Sequence, residues 1–391
     1  MDYFRIDQIC DVNPPKDISR FKGMEISFIP MDAVSTTGEV DISRSISGDG
    51  VKNYSVFQNR DVLFAKITPC MENGKGGIVD DLKNGFGAGS TEFIVIRPDE
   101  KKVISEWIQL FLSQSSYRIE CKNHMTGSAG QKRVPPKFIA GTAIPVPSVD
   151  EQRRIIFRIE EMFSELDNSV STLQKTKAQL AVYRQAVLRE AFSACNVYIN
   201  IEDICESVSD GDHMPPPKEE NGIPFIMISN INGNTIDWTD TAFVGKDYFY
   251  KIDNKRKPRK GDILYTVTGS FGIPVLIDFE KDFCFQRHIA LLRPKKIVDQ
   301  KYLYYALMEP GVYLQAVKKA TGTAQKTVGL TVLRKISVPY AENIEQQQQI
   351  VFEIESRLSV CDSIEHTVAT ALQQAEAMRQ SILKQAFEGR L

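Results

Sequence analysis

Two stretches hold residue types that meet polyanions. "YRIECKNHMTGSAGQKRV", residues 117–134, carries Arg118, Lys122, His124, Ser128, Gln131, Lys132 and Arg133. "AVKKATGTAQKTV", residues 316–328, carries Lys318, Lys319, Thr323, Gln325 and Lys326. Glycine lets a backbone approach a ligand closely, and Ser, Thr, Gln and Lys can meet phosphates or base edges. An ordinary polar connection between a helix and a strand has the same composition. Recurrence at matching places favours nucleic-acid contact. A third stretch, "KIDNKRKPRKGD" at residues 251–262, has six basic and two acidic residues. Its Lys255, Arg256, Lys257 and Arg259 could clamp a phosphate backbone or form a solvated charge run.

Catalytic chemistry finds no such footing. There is no G-x-x-x-x-G-K-[ST], so no P-loop ATPase. Asn13-Pro14-Pro15-Lys16 shares N-P-P with the base-gripping loop of amino-methyltransferases, but lacks the aromatic that stacks on a flipped base. No glycine-rich cofactor loop follows a strand nearby. "GFGAGS" at residues 85–90 reads as a turn, and "PDEKK" at residues 98–102 as a solvated turn after a strand. Ser and His placements suggest no nucleophile and base. Seven cysteines make no C-x-x-C pair and only four histidines are present, which argues against zinc and for free, mostly buried thiols. No catalytic, cofactor-binding or metal-binding residue is assigned.

A length of 391 residues suits two or three domains, and 42% hydrophobic with 25% charged residues is ordinary for a soluble globular protein. No apolar run approaches the roughly 20 residues that span a bilayer, and the first residues have no apolar signal core, so the cytoplasm is the default location. Net charge is −2. Such a chain cannot coat DNA by charge alone, so any DNA contact is local or assisted by a partner.

The elements that would position the basic loops are written twice. At an offset of 195, Ile159, Glu160, Asp167, Leu188, Ala191 and Phe192 fall on Ile354, Glu355, Asp362, Leu383, Ala386 and Phe387. Gln152 and Phe157 fall on Gln347 and Phe352, and Ile6, Ile9 and Cys10 on Ile201, Ile204 and Cys205. Between these ends identity fades. "FIVIRP" resembles "IALLRP", "MTGSAGQK" resembles "ATGTAQKT", and "AIPVP" resembles "KISVP" at slightly different offsets.

The better-matched segments read as long helices. Residues 150–193 contain no Pro or Gly, and Ser148-Val149-Asp150-Glu151 fits a capping box. Ile159, Leu166, Leu173, Leu180 and Val187 recur every seventh residue, matched by Ile354, Cys361, Val368, Ala375 and Ile382. Ile350, Arg357, Ile364, Ala371 and Met378 form a second row. A sustained heptad buries one seam against another helix. About 44 residues make a helix of ~65 Å, longer than a small domain is wide. The two helices should therefore pack on each other, antiparallel. The expected fold class is α+β: two mixed α/β domains separated by a pair of long antiparallel coiled-coil helices, as a pseudo-two-fold repeat. The expected divisions are residues 1–148, 149–195, 196–341 and 342–391. Each head should carry strands first and a helix late, near residues 105–121 and 299–319.

The layout resembles the specificity subunit of type I restriction–modification enzymes. The resemblance rests on the two "EQ" or "QQ" helix starts, preceded by "IPVP" and "ISVP", and on the "LREAFS" and "LKQAFEGRL" endings. "GSTEFIVIRP" and the "TGTAQK" loop belong to the same pattern. It covers essentially the whole chain. It implies that each head is a target-recognition domain reading one half of a split, asymmetric sequence in double-stranded DNA. It also implies that the helices set the spacing and dock two modification subunits, which carry S-adenosylmethionine and methylate adenine. Restriction subunits, using ATP and Mg, would join them, and this chain would catalyse nothing. Two rival readings are a coiled-coil scaffold whose heads bind proteins, and a self-contained methyltransferase; the second lacks its cofactor loop.

Overall fold

The computed structural model describes residues 1–128, 130–211, 216–323 and 325–391. It divides into two units: Met1–Leu173 with Thr370–Leu391, and Gln174–Ala369.

In the first unit an antiparallel sheet runs in the order Cys10–Val12, Phe93–Pro98, Val62–Ala65, Gly76–Ile78. A second sheet runs Ser45–Ser47, Glu25–Ile29, Phe86–Gly89, Ser55–Gln58, with its middle pair parallel. Asp2–Arg5 pairs with Ala143–Val146. The second unit repeats the plan. Its main sheet runs Cys205–Asp210, Ile289–Pro294, Ile263–Thr266, Pro274–Leu276. A three-stranded sheet runs Ala242–Val244, Ile223–Ile226, Cys284–Phe285, and Val197–Asn200 pairs with Ser337–Tyr340. Val62–Ala65 and Ile263–Thr266 are buried along their whole length, because both faces of each sheet are covered.

Two sequence expectations need correction. The late helix of each head is two helices, Ser105–Leu112 and Ser115–Asn123 in one, Gln300–Met308 and Pro310–Lys319 in the other. Proline cannot donate at Pro310, and the carboxylate of Glu309 caps the new start by accepting from Val312 N. "GFGAGS" is no turn: Phe86–Gly89 is a strand. A Cβ at Gly87 would lie 2.3 Å from the Phe57 ring, and one at Gly89 would lie 2.0 Å from Ile29 O, so these glycines serve close packing.

The long helices are Val149–Ala191 and Ile344–Phe387. Glu151 N reaches Ser148 Oγ at 3.4 Å, the serine half of the capping box. Buried Gln152 then fixes how the first helix leaves its sheet. Its Oε1 accepts from Ile104 N at 3.0 Å, and its Nε2 donates to Lys102 O and Pro147 O. Gln347, equally buried, accepts from Asp299 N at 2.7 Å and donates to Ile297 O and Ala341 O.

The helices pack on each other within each unit, antiparallel. In the first unit Arg379 pairs with Asp167 and lies over the Phe163 ring. In the second, Arg184 pairs with Asp362 and Glu365, and Arg357 with Glu190. Arg184 and Arg379, like Asp167 and Asp362, are 195 apart, so one bond is made twice with the partners exchanged. Of the heptad positions, Ile159, Leu180, Val187, Ile354, Cys361, Val368 and Ala375 are buried, and Leu166, Leu173 and Ile382 are half-buried. The second row differs: Ile364 and Met378 are exposed.

Each helix end is an aromatic plug. Phe387 packs on Trp107 (centroids 4.6 Å apart) and Phe111 in the first unit; Phe192 packs edge-on against Tyr302 in the second. Phe192→Ala and Phe387→Ala should each cost about 3–5 kcal/mol, since a large buried ring leaves a cavity. Hydrogen exchange checks the locality. Phe387→Ala should speed exchange in residues 105–112 and spare 300–308, and Phe192→Ala should do the reverse.

Candidate nucleic-acid interface

The two glycine loops fold as the same short hairpin. Thr126 bridges Arg133 in one, and Thr321 bridges Thr327 in the other. Gly127 (φ 120°) and Gly322 (φ 109°) start them in a conformation that side chains rarely adopt. A Cβ there would lie 3.0 Å from Gln131 O and 2.3 Å from Gln325 O. Each hairpin is stitched to the segment that follows a central strand. Thr68 N donates to Lys132 O, and Gly269 N to Lys326 O, both at 3.0 Å. Val134 N donates to Lys66 O and Val328 N to Val267 O. Each unit therefore holds its own loop by the same set of backbone bonds. Ala129 and Ala324, inside the two motifs, lie outside the described residues.

The candidate side chains separate into two groups. Ser128, Gln131, Lys132, Thr323, Gln325 and Lys326 are exposed. Lys122 and Lys318 are exposed in the last turns of their helices, where the helix dipole favours cations. Lys319 sits beside Lys318, its Nζ 3.4 Å from Lys335 O.

Other candidates are engaged within the fold. Arg133 makes three bonds to the Glu92 carboxylate, between 2.8 and 3.2 Å, and one to Gln131 O. That partner holds the Glu92 carboxyl below its ordinary value. Arg118 is half-buried against Gly74, and desolvation lowers its pKa. His124 stacks on Phe138 at 4.2 Å.

The basic run at residues 251–262 lies along the strand Cys205–Asp210 and is largely tied down. Ser209 Oγ donates to Lys255 O, and Arg256 pairs with Asp210. Lys257 donates to Tyr250 O and lies over the Phe249 ring. Asp262 accepts two bonds from Arg293 and one from Arg259 N. The groove of about 450 Å³ beside it is lined by Glu202, Glu206, Asp210 and Asp253 as well as Lys255 and Arg256. It is mixed in charge. Lys255 and Arg259 keep exposed side chains.

Sequence reasoning missed what lies beside each hairpin. In the first unit it is the Glu92–Arg133 pair, with Lys66 donating to Thr91 O. In the second, His288 and Thr327 hold the corresponding places. There a cavity of about 410 Å³ opens, lined by Ser229, Thr268, Ser270, His288 and Gln325 among others. The signal was present in the alignment of "EFIVIRP" with "HIALLRP", which sets Glu92 against His288.

Among the described residues no cluster of His, Cys, Asp or Glu could hold a metal ion, and no helix is long and apolar enough to cross a membrane. Burial pushes the thiols of Cys10, Cys121 and Cys205 up to about 12, which leaves them protonated and poor nucleophiles.

A family model described as the type I restriction modification DNA specificity domain matches residues 1–181 and again residues 196–374. The chain belongs to that family. Its two matched segments each take in one head and much of one long helix, so the family unit is the repeat unit. Among curated relatives, the specificity subunit of the type I restriction enzyme EcoAI from Escherichia coli is 36% identical over 204 residues. That match covers 52% of this chain and 34% of the relative. The EcoBI specificity subunit from Escherichia coli is 28% identical over 300 residues, covering 69% of this chain and 62% of the relative. The chain thus matches only about a third of the EcoAI subunit's length.

Among solved structures, a chain from work on complex assembly and conformational transition of a type I R-M system matches with TM-score 0.79. It is 20% identical, with 100% of this chain and 98% of that one covered. The HsdS subunit from Thermoanaerobacter tengcongensis matches with TM-score 0.57 at 19% identity, covering 100% of this chain and 97% of that one. At these identities the likeness is one of fold.

The Glu92–Arg133 pair gives a signed pH prediction. Because the Glu92 pKa is depressed, its contribution to stability is full above the unfolded value and is lost as pH falls through the native one. Arg133→Met should therefore lower the urea midpoint of the first unit at pH 7. Its curve should converge on the wild-type curve as pH falls below the ordinary carboxyl value of 4.5. A constant gap across that window would mean the arginine acts by packing alone.

Proposed function

We propose that this chain is the specificity subunit of a type I restriction–modification enzyme. Each head reads one half of a bipartite, asymmetric target in double-stranded DNA. The long helices dock two modification subunits, which bring S-adenosylmethionine and methylate adenine. Restriction subunits bring ATP and Mg, and this chain contributes no catalytic residue. It works in the cytoplasm, where its DNA is.

One observation carries the reading: two heads of one plan, with the hairpins retained and their surroundings changed. Shared helices suit identical partners, and unlike heads suit unlike half-sites. Two tethered readers gain affinity only where both half-sites are present at the right separation. The family match across both repeats supports the same conclusion. A scaffold with protein-binding heads has no reason to keep a glycine-Gln-Lys hairpin twice.

Adenine methylation is to be mapped genome-wide in the source strain with and without this gene. Loss of a split motif is the expected result. An unchanged methylome rejects the function, and co-purification that yields no methyltransferase favours the scaffold.

A further inference from the structure

The hairpins pose a question that follows from this functional reading. If the two heads read different half-sites, a feature retained in both must touch something the half-sites share. The retained residues are Thr126, Gly127, Gln131 and Lys132 in one head and Thr321, Gly322, Gln325 and Lys326 in the other, with Ser128 matched by Thr323. The glycines are explained by their backbone conformation. The Gln and Lys side chains are not. All four are exposed, and none makes a side-chain hydrogen bond or ion pair among the described residues. Folding does not require them, yet they persist where the surrounding sequence has drifted.

The immediate surroundings have changed in kind. In the first head the ground beside the hairpin is occupied by the Glu92–Arg133 pair. In the second the cavity bordered by His288, Thr268, Ser229 and Gln325 lies open there.

We propose a division of labour inside each head, resting on the function proposed above. The hairpin is a sequence-independent clamp on the DNA backbone. Lys132 and Lys326 sit on phosphates, with Ser128, Gln131 and Thr323 as supporting donors, and Gln325 stands where the second hairpin meets the cavity. Base discrimination belongs to the unlike ground beside it, which in the second head is the His288 cavity. Phosphates are the same under every sequence, so a phosphate contact survives a change of target. A base contact does not. A shared protein partner is the other common element, but among its described residues the hairpin exposes Lys, Gln, Ser and Thr and no large apolar side chain. Cores of protein interfaces are depleted in lysine and serine.

The test uses the chain assembled with its modification subunits, on three duplexes: the mapped target, and the target with either half scrambled. Lys132→Ala with Lys326→Ala should weaken binding to all three by the same factor. It should also reduce the log–log salt slope by about one unit per lysine. His288→Ala should leave the salt slope alone and cut the preference for the intact second half about five-fold or more. The proposal is overturned if the lysine variant changes the ratio between target and scrambled duplexes, since the hairpin would then read bases. It is equally overturned if that variant releases the modification subunits, or leaves affinity and salt slope unchanged. If the unmutated complex itself does not distinguish the three duplexes, the functional reading fails and not the division of labour.

Discussion

The buried carboxamides of Gln152 and Gln347 determine how each long helix leaves its sheet. Each is sealed from solvent with its oxygen and nitrogen both satisfied by backbone. A buried amide left without partners costs about 1–3 kcal/mol, so the helix start is held in the one orientation that satisfies all three bonds. The acceptors and donors come from two different segments, the approach to the late helix and the exit of the last strand. One side chain thereby joins strand, helix and long helix. With the first turn set, the facing of every heptad position behind it is set as well.

What the repeat preserves is a pattern of bonds more than a list of residues. Trp107 Nε1 donates to Pro145 O in the first unit, and Tyr302 Oη donates to Pro339 O in the second. An indole and a phenol thus serve one acceptor position, and each receives the aromatic end of a long helix. Asp61 takes two bonds from Arg97, and Asp262 takes two from Arg293, in corresponding places of the two main sheets. Both aspartates are almost fully buried, so removing either arginine would strand a buried carboxylate.

The long helices, their antiparallel pairing and the placing of the glycine hairpins were legible in the sequence. Helical periodicity, capping chemistry and internal repetition all act over short distances along the chain. The short strands Glu25–Ile29 and Ala242–Val244 were not, since three to five residues carry little periodic signal. Phe86–Gly89 was misread because glycine marks turns more often than close-packed strands, and only the Phe57 ring reveals the reason. Among the candidate site residues the sequence could not separate free cations from bound ones. Arg133 and Lys132 are neighbours of one charge, yet Glu92, 41 positions from Arg133, takes one and leaves the other in solvent.

That separation follows the chemistry of the two cations. Arginine offers a planar fork that suits bidentate bonding at partly buried sites, and the heads use it so: Arg97 on Asp61, Arg133 on Glu92 and Arg293 on Asp262. Lysine is a strongly hydrated point charge on a flexible stem, and the exposed hairpin cations are lysines. With a net charge of −2 the chain has no general field to hold DNA, so under the proposed function it would rely on few, well-placed contacts or on help from a partner. Binding through so few phosphates has a shallow salt dependence and a modest non-specific affinity. On the function proposed above, a reader built this way would stay loosely held on wrong sequences and rely on its two dissimilar heads for selectivity.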